Sequence, residues 1–222
     1  MEPFTQHRGR VAVLDWSDVN TDLIIPARYL KRIERIGYGP LLFADKKYCP
    51  GESPQIDDPG VHGALDPSFP LNKPELAGAT VLVAGRNFGC GSSREHAVWA
   101  VAQAGFRAVI APGKDEGFAD IFEGNARNNG LLPIELDDAE WKTIADAGQK
   151  PGGAEVTIDL NKKTVTLHAE GVGPTEFAFD IPESDRQRIL QGLDFIAETL
   201  QYDSAIAAQE QGMPAWITPK TG

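Results

Sequence analysis

Two hydrophobic periods divide the chain. Residues 80–84 (Thr80-Val81-Leu82-Val83-Ala84), 107–111 (Arg107-Ala108-Val109-Ile110-Ala111) and 131–136 carry nearly unbroken apolar runs, which suit strands buried on both faces of a parallel sheet. Between them, residues 93–104 and 118–129 read as helices, so the centre of the chain is a βαβ unit with a right-handed crossover. Gly130 stands where a left-handed residue ends a helix. Asp137, with Glu140 three residues on, predicts a capping box opening another helix. Residues 10–14 add a short strand near the start. From residue 155 the period becomes two: 155–160, 164–168 and 175–179 alternate, separated by Asn161-Lys162-Lys163 and Gly171-Val172-Gly173-Pro174, which predicts an antiparallel meander. Residues 185–201 return to a helical pattern with a break near Gly192.

The remaining segments are less regular. Residues 15–36 carry few periodic signals, and long irregular segments in compact domains are often functional. Residues 40–47 suit a short helix. Residues 49–78 are rich in Pro, Gly and Asp and read as an extended surface connection. The pattern predicts an α/β domain over residues 1–200: a central mostly parallel sheet, flanking helices and a small antiparallel meander. Residues 201–222 form a tail, with an Ala-rich helical piece and then Met213-Pro214-Ala215-Trp216-Ile217. Such an apolar end packs on the domain or docks on a partner.

Composition narrows the function classes. The chain has 222 residues, 41% hydrophobic and 24% charged, enough for one domain with a sizeable core. A formal net charge of −11 argues against nucleic acid and anionic membrane surfaces, both of which recruit clustered Lys and Arg. A small anionic substrate remains compatible, because a local field can oppose the net charge. No apolar run approaches a membrane span of roughly 20 residues, and the first residues show no signal-peptide pattern. Two cysteines, Cys49 and Cys90, are too few for a disulfide scaffold or an all-protein cluster site. A cytoplasmic, reducing setting with free thiols is expected, and no metal site on this chain.

Chemistry concentrates in Asn87-Phe88-Gly89-Cys90-Gly91-Ser92-Ser93-Arg94-Glu95-His96. Strand, glycine-rich turn and helix start is a geometry that points backbone N–H groups at an anion. Several readings compete. Ser92 to Glu95 matches a capping box with no chemistry at all. Gly89-x-Gly91-x-x-Arg94, with Asp115 and Glu116 after the next strand, partly matches a dinucleotide turn but lacks the third glycine. Ser92 and His96, four apart, suggest a hydrolase pair, but the G-x-S-x-G elbow is absent, so His96 reads as a packing residue. A carboxylate site accounts for more. Arg94 in the first helical turn opposes the helix dipole, and a bound anion would compensate it. Ser92 beside N–H donors and a guanidinium can act as an alkoxide base on a carbon next to a carboxylate, with Arg94 gripping the carboxylate bidentately.

The run from Asn87 to Ala97 resembles the signature of the small subunits of 3-isopropylmalate dehydratase, which belong to the swivelling-domain family of the aconitases. Asn20-Thr21-Asp22-Leu23-Ile24-Ile25-Pro26-Ala27-Arg28-Tyr29-Leu30 resembles the family's substrate loop. Phe118-Ala119-Asp120-Ile121-Phe122, Asn129-Gly130-Leu131-Leu132-Pro133 and Gly192-Leu193-Asp194 with Thr199-Leu200 resemble its later landmarks, so the likeness covers about residues 8 to 217. The resemblance implies a swivelling β/β/α domain. It also implies interconversion of 2-isopropylmalate and 3-isopropylmalate through 2-isopropylmaleate, in leucine biosynthesis. It assigns Ser92 as base and Ser93, Arg94 and Gly91 to the substrate carboxylate. Thr21 and Asp22 match active-site loop positions, Asp22 orienting polar partners. It further implies a large-subunit partner, in a heterodimer or heterotetramer. That subunit holds a [4Fe-4S] cluster whose open iron takes the leaving hydroxyl.

Within the family, substrate choice tracks the loop after Pro26. Leu30 of the Tyr29-Leu30 pair is the candidate contact for an isopropyl group. Arg28, Lys31 and Arg32 keep related dicarboxylic substrates open, those of homoaconitase or of citramalate or dimethylmalate dehydratase. A non-enzymatic anion-binding module is the alternative outside catalysis. One departure from the family pattern is the stretch Gly113-Lys114-Asp115-Glu116-Gly117. It lengthens a loop at the carboxyl end of a strand, where α/β sites lie.

Overall fold

The computed structural model describes residues 1–58, 60, 62–113 and 115–214, so the Ala215-Trp216-Ile217 end, expected to pack on the domain or dock on a partner, lies outside the described residues. The strands are β1 (Gln6–Leu14), β2 (Val81–Ala84), β3 (Ala108–Pro112), β4 (Leu132–Leu136), β5 (Ala154–Asp159), β6 (Thr164–Ala169) and β7 (Val172–Ala178). The helices are α1 (Thr21–Ile24), α2 (Ala44–Lys47), α3 (Glu95–Gln103), α4 (Asp120–Asn128), α5 (Asp138–Gln149), α6 (Glu183–Gln191), α7 (Phe195–Leu200) and α8 (Asp203–Gln211).

The strands form one sheet in the order β4-β3-β2-β1-β5-β6-β7. Strand β1 is longer than the pattern predicts, and its two halves do different work. Val11 to Leu14 pair in parallel with β2, while Gln6 to Arg10 pair antiparallel with β5. The mixed polarity of Gln6-His7-Arg8 hides this first half from a hydrophobicity reading, because it is a half-exposed antiparallel segment. The meander therefore continues the parallel sheet. Its third strand begins at Val172, inside the segment expected to be a turn.

Side-chain alternation sorts the buried strands into two cores. Ala12, Leu14, Leu82, Ala84, Val109 and Ala111 face a cluster completed by residues of α1 to α4. Val11, Val13, Val81, Val83, Ala108 and Ile110 face a second cluster, shared with α5, α6 and the inner face of the meander. The segment 49–78 is more than a surface connection: Phe69 is buried in the first cluster, and the Pro54 carbonyl accepts the buried Tyr29 hydroxyl at 2.8 Å.

Local signals hold at several helix ends. The capping box of Asp137 and Glu140 is formed, Gly130 has φ +76°, and the left-handed Gly192 separates α6 from α7. Helix α8 buries no residue, and Phe195, Ile196, Leu200 and Tyr202 are exposed on the last helices. Among the described residues no helix is long and apolar enough to cross a membrane.

Candidate active site

The serine loop leaves the carboxyl end of β2 and is stitched on both sides. On one side Gly89 N–H donates to Val19 O at 2.7 Å and Thr21 N–H to Cys90 O at 2.9 Å. On the other, Asn87 N–H donates to Glu116 O and Phe88 N–H to Gly117 O, both at 2.9 Å, and Ala119 N–H returns to Phe88 O at 3.1 Å. These bonds make the loop an irregular extra strand, bridging Asn20 through Cys90 and Phe118 through Phe88. Asn87 adopts φ +55° and Gly89 φ +80°. The Asn87 amide steadies the turn by donating to Asp18 Oδ1 at 2.7 Å.

The capping-box reading of Ser92 and Glu95 does not hold. Helix α3 starts at Glu95, two residues later than the pattern predicts, with Arg94 as an extended N-cap and no side-chain cap. The Glu95 carboxylate instead accepts from Asn129 Nδ2 at 2.9 Å. Ser92 and Ser93 are thereby free of a capping role. Both are exposed, as is Gly91. Among the described residues neither serine hydroxyl makes a hydrogen bond, nor do the backbone N–H groups of residues 91–94. A run of free N–H groups ahead of a helix start is an anion-binding arrangement.

Two residues of the 20–22 segment hold this arrangement. Thr21, 2% exposed, donates its hydroxyl to Ser92 O at 2.9 Å; a threonine expected to bind substrate is thus engaged with the serine backbone. The segment itself is short helix α1, with Asn20 as N-cap accepting from Leu23 N–H at 2.8 Å. Asp22 pairs with the Arg94 guanidinium. Arg94 is 17% and Asp22 55% exposed, so the pair joins a mostly sheltered guanidinium to a half-exposed carboxylate, one and two residues along the chain from Ser93 and Ser92.

The loop after α1 behaves differently. Leu30 is partly buried against the first core cluster. Arg28 donates to Asp45 Oδ1 at 2.5 Å, which raises its already high pKa. Arg28 and Lys31 line a cleft of about 580 Å³ with Tyr29, Asp45 and Ile56; neither Ser92 nor Arg94 lines it. Arg32 is largely buried, bonded to the carbonyls of Ile56 and Ile36, and serves as a strut for residues 32–36. The structure therefore joins Ser92, Ser93, Arg94, Thr21, Asp22 and Gly91, and among the described residues no hydrogen bond or ion pair links Arg28, Lys31 or Leu30 to them.

The competing readings lose their partners. His96 packs against Tyr38 and Trp99, with ring centroids 5.5 and 4.7 Å away, and burial lowers its pKa, as fits a packing residue. Glu116, one of the two acids of the dinucleotide reading, pairs with Arg86 at 2.8 Å. Cys90 has its thiol pKa raised by burial and by Asp18, which disfavours a reactive thiolate. Cys49 and Cys90 are both free, and Cys49 donates to Leu65 O at 3.7 Å, far from the serine loop in sequence and in a different segment of the fold. This donor set does not fit an iron–sulfur cluster, and among the described residues no group of three or more His, Cys, Asp or Glu side chains is placed to hold a metal.

Two features of the site were missed in the sequence. Asn20 caps the helix that carries Thr21 and Asp22. Glu135 sits in an otherwise apolar buried strand, and a carboxylate in such a run signals a specific polar partner.

Comparisons with known proteins place the chain in a family. Residues 1–139 match the model of the aconitase C-terminal domain. A 3-isopropylmalate dehydratase small subunit from Shewanella amazonensis is 45% identical over 97% of this chain and 99% of its own length. One from Desulforapulum autotrophicum is 43% identical over 98% of each. The crystal structure of 3-isopropylmalate dehydratase (leuD) from Methanocaldococcus jannaschii superimposes with a TM-score of 0.61 at 30% identity, over 93% of this chain and 99% of that one. The small-subunit designation of the two curated relatives implies a large-subunit partner for them. With a matching domain model, near-full-length relatives and an exposed Ser-Ser-Arg turn held by Thr21 and Asp22, this chain belongs to the aconitase C-terminal domain family and, within it, to the 3-isopropylmalate dehydratase small subunits.

Proposed function

We propose that this chain is the small subunit of a hydro-lyase that interconverts 2-isopropylmalate and 3-isopropylmalate through 2-isopropylmaleate, in leucine biosynthesis in the cytoplasm. The observation that carries this reading is the uncapped, exposed Ser92 beside free backbone N–H groups and the Asp22-oriented Arg94. Ser92 Oγ, as alkoxide, takes the proton from the substrate carbon and becomes a hydroxyl. The freed C–H electron pair forms the double bond of the maleate while the neighbouring hydroxyl departs with the carbon–oxygen pair and, on taking up a proton, leaves as water. Addition of water in the opposite sense at the two carbons reverses these steps. Arg94 presents its fork to one carboxylate, with Ser93 and the residue 91–94 N–H groups as further donors. A free serine is far too weak an acid for this role. The oriented donors must therefore stabilise the alkoxide, as preorganised dipoles do in other sites.

The site is half of an active site, because Ser92 and Ser93 stand on open surface. The large subunit supplies the opposing wall and, as family membership suggests, the iron–sulfur cluster; among the described residues this chain has no ligand set for it. Leu30, Arg28 and Lys31 enter as substrate-selecting residues on the neighbouring loop. The exposed Phe195, Ile196 and Leu200 of α7 and Ile206 of α8 support docking of these helices, rather than packing on the domain, against that partner. Anaerobic formation of 2-isopropylmaleate, read by ultraviolet absorbance, tests the reading with this chain alone, with its large subunit, and as Ser92→Ala with that subunit. Activity is expected only in the wild-type pair. An assembled pair inactive on 3-isopropylmalate overturns the substrate assignment, and a fully active Ser92→Ala pair overturns the base.

A further inference from the structure

We propose that Glu135 is a positioning residue for the serine loop, acting through Asp115, Glu116 and Gly117; this rests on the proposed role of Ser92. Glu135 is the one charged side chain in β4, and its carboxylate holds the turn by two backbone bonds. Oε2 accepts Asp115 N–H and Oε1 accepts Gly117 N–H, each at 2.9 Å. Gly113 and Asp115 both have positive φ, +88° and +63°, and Gly113 N–H is tied to Leu136 O at 2.9 Å. Gly117 leaves no room for a side chain: a Cβ would lie 2.9 Å from Glu135 Oε1 and 3.0 Å from the Ala111 Cβ.

The turn passes this constraint on. The carbonyls of Glu116 and Gly117, set by the Glu135 grip, are the acceptors for Asn87 and Phe88 N–H, the first residues of the serine loop. The Glu116 side chain adds a second tie, through Arg86, which also pairs with Asp138 at 2.5 Å. The serine loop is thus located from two sides. Thr21 sets Ser92 from one, and Glu135 sets Asn87 and Phe88 from the other. Glu135 touches neither the serines nor Arg94, so its effect is on where the base sits. Misplacing a reacting group by about 1 Å can cost on the order of a hundredfold in rate.

The test is Glu135→Gln, which keeps shape but turns one acceptor into an N–H donor facing a backbone N–H. With the large subunit, kcat is expected to fall at least about tenfold with KM within about twofold, as for a group acting only in the chemical step. In the isolated chain, amide exchange at Asn87 and Phe88 is expected to accelerate about tenfold while the meander is unchanged, a local opening. Wild-type kcat, or unchanged exchange at Asn87 and Phe88, overturns the proposal. So does loss of protection across the whole sheet with normal kcat, the mark of a merely structural role. If the Gln variant fails to fold, Gly117→Ala, which displaces the same carboxylate, carries the exchange measurement with the same expectation. The exchange readout needs no substrate. A wild-type pair inactive on isopropylmalate would therefore overturn the function without deciding Glu135.

Discussion

Gly89→Ala tests whether the serine loop has a rigid floor. Gly89 is buried, with φ +80°, and an added Cβ would lie 2.2, 2.4 and 2.5 Å from Cγ, Cβ and Cδ2 of Phe122. Phe122 cannot retreat easily: it is 2% exposed, meets Phe88 edge-on at 5.2 Å and stacks with Phe118 at 6.2 Å. The left-handed backbone costs a non-glycine residue about 1–2 kcal/mol, and overpacking a filled core adds about 1–3 kcal/mol, so the total loss is about 2–5 kcal/mol. Gly91→Ala is the matched control. It has φ +90°, but its Cβ would meet only Asn20 Cβ at 3.6 Å and Thr21 Oγ1 at 3.8 Å, leaving about 1–2 kcal/mol of backbone strain. Urea unfolding of the isolated chain measures both, and their difference isolates the steric contribution. If the two variants agree within about 0.5 kcal/mol, a difference expected only of sites free of such clashes, Phe122 is not a fixed floor and the packing argument is wrong.

Thr21→Val keeps the shape and removes the hydroxyl that holds Ser92 O. Stability should fall by about 1 kcal/mol and kcat by more than KM changes; an unchanged kcat in the reconstituted pair would show that the tether does not locate the base. Leu30→Arg should reduce isopropylmalate turnover far more than it lowers the melting temperature, since Leu30 is only partly buried; equal turnover would remove it from substrate selection. For His96, burial is the main cause of a pKa below the ordinary 6.5, with Glu95 opposing and Arg94 assisting. The folded state therefore favours the neutral ring. Its contribution is complete above the unfolded value near 6.5 and is lost as pH falls below it toward the lower folded value. His7, lowered by burial and by Arg107, acts in the same direction. His96→Phe should flatten the decline of the urea midpoint between neutral and mildly acidic pH, and an identical decline would refute this account.

What the chain states locally was legible in its sequence. Nearly unbroken apolar runs identify β2, β3 and β4, because strands buried on both faces leave few polar positions, Glu135 in β4 being the exception. Alternation identifies β5 and β6, because one face of a meander meets solvent. Glycine at Gly130 and Gly192 marks helix ends, because a left-handed residue is required there. Ser92, Ser93 and Arg94 stood out because glycines, hydroxyls and a guanidinium crowd one strand-to-helix turn. What depends on contacts between distant segments was decided only by the tertiary structure. The first half of β1 becomes a strand because β5 supplies its partners. Helix α3 begins at Glu95 because Asn129 takes that carboxylate from the capping role. Arg32 and Arg28 are diverted to Ile56 and Asp45, which periodicity does not register. The positions of Thr21, Asp22 and Glu135 around the serine loop follow from hydrogen bonds spanning 18 to 72 residues of chain. A linear pattern reports which faces are apolar. It does not report which backbone groups must find partners across the fold, and at this site those partners hold the chemistry in place.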